Sequence, residues 1–435
     1  MSGPELGIVG FGVLFVLLMA GLPVGLALGL VGVAGFAGIV TTEAALHLLA
    51  KDFVDVLGAY DLTVIPLFIL MGQLSFRSGI STRLFHTAYH FMGHWPGGMA
   101  IATIGACTGF AAICGSTNAT AATMASVTLP EMKKYHYRDD MAAGVVAVGG
   151  SLGILIPPSV VFIVYGVMTQ QSVGRLFIAG ILPGLILAVL FAATIVVWAK
   201  VQPQVAPRAR RQPLKAMLAS LSGVAETLVL FALVMGGLFK GFFTPTEAGG
   251  VGAVGTLVIA VCRRTLSWQD LGLALQETCR ISCMVLTIVA GATVFGHFLA
   301  VTHIPFEIAG WVIGLQLPAV VVMGMIIVVY LIGGCIIDAL ALVMLTVPIF
   351  FPLITALGYD PIWFGVIVVM LTQIGVVTPP VGLNAYVVCG VSAIPLQVVF
   401  KGVMPLLAAL ILGTLLLIPF PQIALFLPRL MAGGQ

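Results

Sequence analysis

Charge is what this sequence has least of. Only 8% of its 435 residues are Asp, Glu, Lys or Arg, where soluble domains carry about 25%. That excludes an ordinary water-soluble enzyme. Uncharged stretches run from Leu84 to Pro130, Met141 to Gly174, Leu176 to Ala199, Ile308 to Ile337, Pro361 to Phe400 and Gly402 to Pro428, whereas a bilayer span needs only about 20 predominantly apolar residues. The seven cysteines make no CxxC pair and fall mainly within or beside apolar segments, so small buried hydrophobes are expected rather than a disulfide or metal framework. GxxxxGK[ST] is missing, so the chain does not look like an ATPase. No Ser-Lys or zinc-ligand constellation marks an intramembrane hydrolase. The opening MSGPELGIVG lacks a basic stretch, so a cleaved signal peptide is not expected.

What is present is apolar: 60% hydrophobic residues, 52 Gly and 18 Met, with a mean hydropathy of +1.19. Lipid surrounds most of such a fold, and the reading is an all-α polytopic membrane protein. The net charge of +3 points to no nucleic-acid partner; its placement reports topology.

A shift of 222 positions brings costly residues into register. Pro23 falls on Pro245, Tyr137 on Tyr359, Gly153 on Gly375, Pro157-Pro158 on Pro379-Pro380, Gly180 on Gly402 and Pro183 on Pro405. GILIPP at 153 to 158 answers GVVTPP at 375 to 380. Internal symmetry of this kind marks many secondary transporters. The predicted units are a first repeat over 1–199, a connector over 200–220 and a second repeat over 221–435. The connector core, KVQPQVAPRARRQPLK at 200 to 215, reads as polar and non-helical, and its basic residues place it in the cytoplasm.

Each half parses into five passes and one re-entrant hairpin. Passes are expected near 6–21, 23–41, 61–77, 140–168 and 175–198, then 221–239, 245–262, 281–300, 361–390 and 402–426, with hairpins near 97–129 and 317–349. Five is odd, so the second repeat is inverted. With the connector inside, Lys51, Arg175, Lys240 and Arg429 lie outside and the other fourteen of the 18 basic residues lie inside. Segments 44–58 and 267–279 read as interfacial helices.

GILIPP and GVVTPP interrupt stretches long enough for a pass, and a mid-membrane break needs a reason because backbone groups must be satisfied internally. Exposed carbonyls and helix ends there can coordinate Na⁺ or orient a substrate; simple proline kinks are the alternative. The first hairpin tip, AICGSTNATAATM, sets Ser116, Thr117, Asn118, Thr120 and Thr123 in apolar surroundings, as ion ligands or as a turn satisfying its own backbone. At the second tip, YLIGGCIIDALALVML, Asp338 is the only carboxylate between Ile308 and Tyr359. It is the sharpest candidate for ion coupling, with a helix cap or protein pairing as the alternative. Thr372, Gln373, Gly375, Thr378 and Asn384 add oxygens or amides around the second break. Glu247 reads as a helix cap, and Glu226 finds no partner from sequence. His86, His90 and His94 have helical spacing but make a weak metal candidate.

Over nearly its full length the chain resembles the large membrane (M) subunit of tripartite ATP-independent periplasmic (TRAP) transporters, the dicarboxylate-type M family. The strings that carry this are PLFILMGQL at 66 to 74, CGSTNATAATM at 114 to 124, GGSLGILIPPS at 149 to 159, FTPTEAGGVGA at 243 to 253 and TQIGVVTPPVGLN at 372 to 384. The resemblance implies an inverted-repeat, elevator-type transporter of the ion-transporter superfamily: about ten full passes, two re-entrant hairpins and two discontinuous helices. It implies Na⁺ as coupling ion, a small four-span membrane (Q-type) subunit, a soluble periplasmic substrate-binding protein, an organic anion substrate and residence in the bacterial inner membrane. It maps ion-site regions onto Ser116, Thr117 and Asn118 with Gly153 to Pro158, Pro157 included. The second set falls on Gly334 to Asp338 with Thr372, Gly375, Thr378 and Pro379. The first break reads LIPPS where the second reads VTPPV, so the two sites need not bind equally. A stand-alone Na⁺- or H⁺-coupled carboxylate symporter is the other transporter class open at this point. No Lys or Arg lies in either tip or break, which leaves C4-dicarboxylates, sialic acid, sugar acids and keto acids undistinguished.

Overall fold

The computed structural model describes residues 3–207 and 212–432. Arg208, Arg210 and Arg211 of the connector lie outside the described residues, and every regular element among those described is helical. In chain order the first half runs α1 (Gly3–Met19), α2 (Val24–Ile39), α3 (Thr42–Gly58), α4 (Val64–Arg77), α5 (Ile80–Met92), α6 (Gly98–Cys114), α7 (Thr117–Lys134), α8 (Asp139–Ser151), α9 (Val160–Thr169) and α10 (Val173–Val201). The second runs α11 (Leu214–Ser220), α12 (Ser222–Phe239), α13 (Pro245–Cys262), α14 (Trp268–Thr302), α15 (Ile304–Gly314), α16 (Ala319–Gly334), α17 (Ala339–Ala356), α18 (Pro361–Val377), α19 (Leu383–Ser392), α20 (Leu396–Leu417) and α21 (Gln422–Ala432).

Six stretches are long and apolar enough to cross a membrane, or seven counting α3 and α4 as one bent span. Shorter apolar helices, among them α1, α2, α6, α16 and α18, join them. The chain is a polytopic all-α membrane protein. Its centre is made by helices apolar all round, the pattern of fully buried helices: α8 is buried from Asp140 to Ser151 and α18 from Ile362 to Val377. Packing there is close enough to require glycine. A Cβ on Gly402 of α20 would lie 1.8 Å from the Asp140 carbonyl, and one on Gly144 of α8 would lie 2.2 Å from Gly402. Small residues let membrane helices approach to backbone contact.

Both Pro-Pro segments interrupt helices as expected. α8 ends in a 3-10 turn, Leu152–Ile154, before α9, and α18 and α19 are separated at Thr378 to Gly382. Pro157-Pro158 and Pro379-Pro380 are both cis. The 222-residue register also holds for helix starts: Thr117 answers Ala339, and Asp139 answers Pro361.

Several boundaries differ from the sequence expectation. The interfacial segment at 267–279 and the pass at 281–300 form one helix, α14, 35 residues long. The 267–279 segment is polar, but no proline or glycine lies from Ala274 to Ala290 to end the helix. At about 1.5 Å per residue it spans about 52 Å, longer than the hydrocarbon layer. α5 and α15 were not anticipated. The last pass starts earlier, at Leu396, and stops at Leu417; α21 is separate beyond Pro419 and Pro421. The connector is not wholly non-helical either. Lys200 lies in the last turn of α10, Pro203–Val205 is a 3-10 turn and Lys215 lies in α11. Val205 is buried, and its carbonyl accepts the Arg138 amide at 3.1 Å, which holds the connector against the α7–α8 turn.

Candidate functional site

The two helix–turn–helix tips are built alike. Gly115, at φ +66°, ends α6, and Ser116 then adopts the extended conformation that caps α7, its hydroxyl accepting the Ala119 amide at 3.4 Å. In the second tip α16 gives way at Cys335, and Asp338 caps α17 by accepting the Leu340 amide at 3.1 Å. The cap reading for Asp338 is therefore realised, and its half-buried side chain also faces the central cavity. The Tyr330 and Thr346 hydroxyls, 2.6 Å apart, join α16 to α17.

Each tip touches the break predicted to accompany it. A Cβ on Gly153 would lie 2.4 Å from the Ser116 carbonyl oxygen, and one on Gly115 would lie 2.7 Å from that of Pro158. A Cβ on Gly375 would lie 2.5 Å from Gly334 backbone atoms. Ser116, Thr117, Asn118, Gly153 and Pro157 thus gather at one place, and Gly334, Asp338, Thr372, Gly375, Thr378 and Pro379 surround the other break and tip. Oxygen-rich turns of carbonyls, hydroxyls and one carboxylate suit a hard cation.

The side chains divide the work unevenly. Ser159 caps α9, accepting the Phe162 amide at 3.3 Å and donating to the Ile154 carbonyl. Val381 holds the corresponding place, and α19 starts instead from Gly382 at φ +54°. Thr372 donates to the Val369 carbonyl at 2.8 Å, and Thr378 donates to that of Ile374. Gln373 and Asn384 turn away from their own break: their amide nitrogens donate at 2.9 Å to the carbonyls of Ser151 and Ala147 on α8.

A cavity of about 710 Å³ lies between the tips and the outer helices. One wall carries Ser116, Thr117, Asn118, Ile154, Asp338, Leu340 and Leu383. The other is Pro23 to Leu26 of α2, Ile69, Gly72 and Gln73 of α4, and Ile281 to Ile288 of α14. No Lys, Arg or His is among the described residues lining it. Gln73 and Thr287 were missed from sequence. Gln73 is a lone amide in an apolar run, a usable signal; Thr287 carries none, since it also donates to the Cys283 carbonyl within its helix.

Charges elsewhere hold the outer helices together. Glu226 pairs with Arg83 at 3.5 Å and with Arg263, which supplies the partner sequence could not assign and ties α5, α12 and α13. Arg77 lies 3.8 Å from Asp270, and Asp52 of α3 lies 3.4 Å from His297 of α14. Glu247 caps α13 in a reciprocal box with Thr244. His90 Nδ1 lies 2.6 Å from the His86 carbonyl, and no cluster of three His, Cys, Asp or Glu occurs among the described residues.

The family model described as "Tripartite ATP-independent periplasmic transporter, DctM component" matches residues 11–423. The C4-dicarboxylate TRAP transporter large permease protein of Pseudomonas aeruginosa is 38% identical over 371 residues, covering 85% of this chain and 86% of that protein. The isethionate TRAP transporter permease protein DctMQ of Oleidesulfovibrio alaskensis is 34% identical over 417 residues, 96% of this chain but 65% of that longer protein. Among solved structures, the Alcanivorax borkumensis YdaH transporter shares the fold at TM-score 0.60 and 15% identity, covering 91% of this chain and 89% of that one.

Proposed function

The chain belongs to the family of DctM components of tripartite ATP-independent periplasmic transporters, and from that membership we propose that it imports an organic acid anion by Na⁺ symport through an elevator movement in the bacterial inner membrane. Its homologues are transporter permeases, not enzymes. The proposed assembly adds a small four-span subunit and a soluble periplasmic binding protein. The longer DctMQ relative, of which this chain covers 65%, supports a second membrane component.

The observation that carries the reading is the cavity. It holds the Asp338 carboxylate, hydroxyls and amides, but no basic side chain among its described lining residues. An organic anion entering it meets charge of its own sign, and leaving such charge uncompensated in a low-dielectric site is costly. Na⁺ at the paired tips and breaks supplies the missing positive charge, so substrate and ion stabilise each other. The helix N-termini behind Ser116 and Asp338 add partial positive charge of the same sense.

In this mechanism the binding protein releases the anion to the outward-facing cavity and ions close the tips over it. The unit of tips and broken helices then moves against α2, α4 and α14 and opens to the cytoplasm. Coupling follows when ions favour the loaded unit over the partly loaded one. The test is uptake into proteoliposomes holding this chain with its small subunit, using candidate acids with and without Na⁺ and binding protein. Uptake that requires both supports the reading. Uptake without a binding protein makes the chain a stand-alone symporter, and Na⁺-independent uptake removes ion coupling.

A further inference from the structure

We propose that Gln373 and Asn384 are positioning residues that join the two breaks mechanically, so that Na⁺ binding at one raises affinity at the other. The proposal rests on the Na⁺-coupled reading above. Both side chains are fully buried. Each donates its amide nitrogen to α8, Gln373 to the Ser151 carbonyl and Asn384 to that of Ala147, both at 2.9 Å. Ala147 and Ser151 are four residues apart, hence on one face of α8.

The Ser151 carbonyl is a helix-end group. The Leu155 amide, its partner had α8 continued, bonds to Leu152 instead. The Ser151 carbonyl opens the 3-10 turn Leu152–Ile154, and Gln373 adds a side-chain donor to it from two residues before Gly375. Asn384 donates to the Ala147 carbonyl, one turn earlier on α8, from the start of α19 on the far side of the second break. The second break is thus fastened on both sides to the helix that ends at the first.

These two links have no mirror image. Position 151 corresponds to 373 and carries a serine whose hydroxyl donates to Val148 within α8; position 162, which corresponds to 384, is phenylalanine. The Val369 carbonyl, corresponding to that of Ala147, is bonded by Thr372 of its own helix. Gln373 Oε1 and Asn384 Oδ1 are buried without a hydrogen-bond partner. A buried acceptor left unpaired is unfavourable, and an apolar side chain of the same shape would avoid it. The donor role offsets that penalty. When cations order the carbonyls at the end of α8, the two donors carry that order to Gly375 and Thr378. Two sites joined through one rigid element share a coupling free energy.

The experiment is Na⁺ titration of uptake by the full complex in proteoliposomes, paired with Na⁺ titration of tryptophan fluorescence in the purified complex. The wild type should respond sigmoidally. Gln373→Met and Asn384→Leu, which remove the donors, should bring the Hill coefficient to about 1 and raise half-saturating Na⁺ about tenfold. Trp363→Phe is the control: it removes a buried donor on α18 that bonds the Leu417 carbonyl of α20 and not α8, and should leave the Hill coefficient unchanged. Variants that keep wild-type cooperativity, a wild type that responds without cooperativity, or loss of cooperativity in the control as well would each overturn the proposal. So would failure of both variants to assemble, because the links would then be structural only. A wild type indifferent to Na⁺ removes the symport reading itself, an outcome distinct from these.

Discussion

Ser116 and Asp338 occupy the same position in the two halves, 222 residues apart, and each caps the helix that restarts after its tip while facing one shared cavity. The chemistry is unequal. The hydroxyl is neutral and the carboxylate is not, so ion-dependent behaviour should concentrate at the second tip.

Asp338→Asn separates the two roles of that side chain. The amide oxygen can still accept the Leu340 amide, so the cap survives; only the charge is lost. Thermal stability without Na⁺ should stay within a few degrees, because asparagine and aspartate cap about equally well. Half-saturating Na⁺ for uptake should rise about tenfold, a change of about 1.4 kcal/mol. Uptake with unchanged Na⁺ dependence would remove Asp338 from ion coupling.

Gly375→Ala tests the contact between break and tip. The added Cβ would lie 2.5 Å from the Gly334 backbone, and backbone has no rotamer with which to yield. Overpacking of this kind costs about 1 to 3 kcal/mol. Uptake should fall at least tenfold while the protein still reaches the membrane, as measured by transport against surface quantity. Gly250→Ala is the comparison, since nothing lies within 4 Å of a Cβ there; its uptake should match the wild type.

Glu226→Gln leaves Arg83 and Arg263 facing one another at the junction of α5, α12 and α13. All three side chains are partly exposed, at 24%, 19% and 47% for Arg83, Glu226 and Arg263, so each pair contributes about 1 kcal/mol at most. The melting temperature of the purified protein should drop by a few degrees, with the drop smaller in high salt. A salt-independent loss would assign the effect to packing.

Much of the site was legible because proline, glycine and a lone carboxylate stand out on an apolar background. The breaks at Pro157-Pro158 and Pro379-Pro380, both tips and Asp338 all carry such marks, and each lies where local chemistry put it. The outer wall carried few. Which face of α2 or α14 turns toward the cavity depends on partners distant in the chain, and glycines such as Gly25 serve close packing anywhere. Gln373 and Asn384 were read as groups for their own break, whereas their donors reach α8; sequence gives the donor but not its direction. The polarity of 267–279 reads as an interfacial segment, whereas the continuous run of helix-forming residues carries it into the following pass as one helix, α14.

Movement of the tips against the outer helices is open to a covalent test. A Cβ on Gly72 of α4 would lie 3.2 Å from the Cα of Cys114, at the end of α6, so the outer wall and the first tip are direct neighbours there. Gly72→Cys places one thiol on the outer wall and pairs it with the native thiol beside the first tip. If the tip unit travels during each cycle, oxidation should abolish uptake and a reductant should restore it. The same variant with Cys114→Ala should be indifferent to oxidant, which excludes damage at the remaining cysteines. Cross-linked protein that carries substrate at the reduced rate would mean that α4 and the first tip keep their contact throughout transport, and the elevator movement would have to be replaced by local opening of the tips.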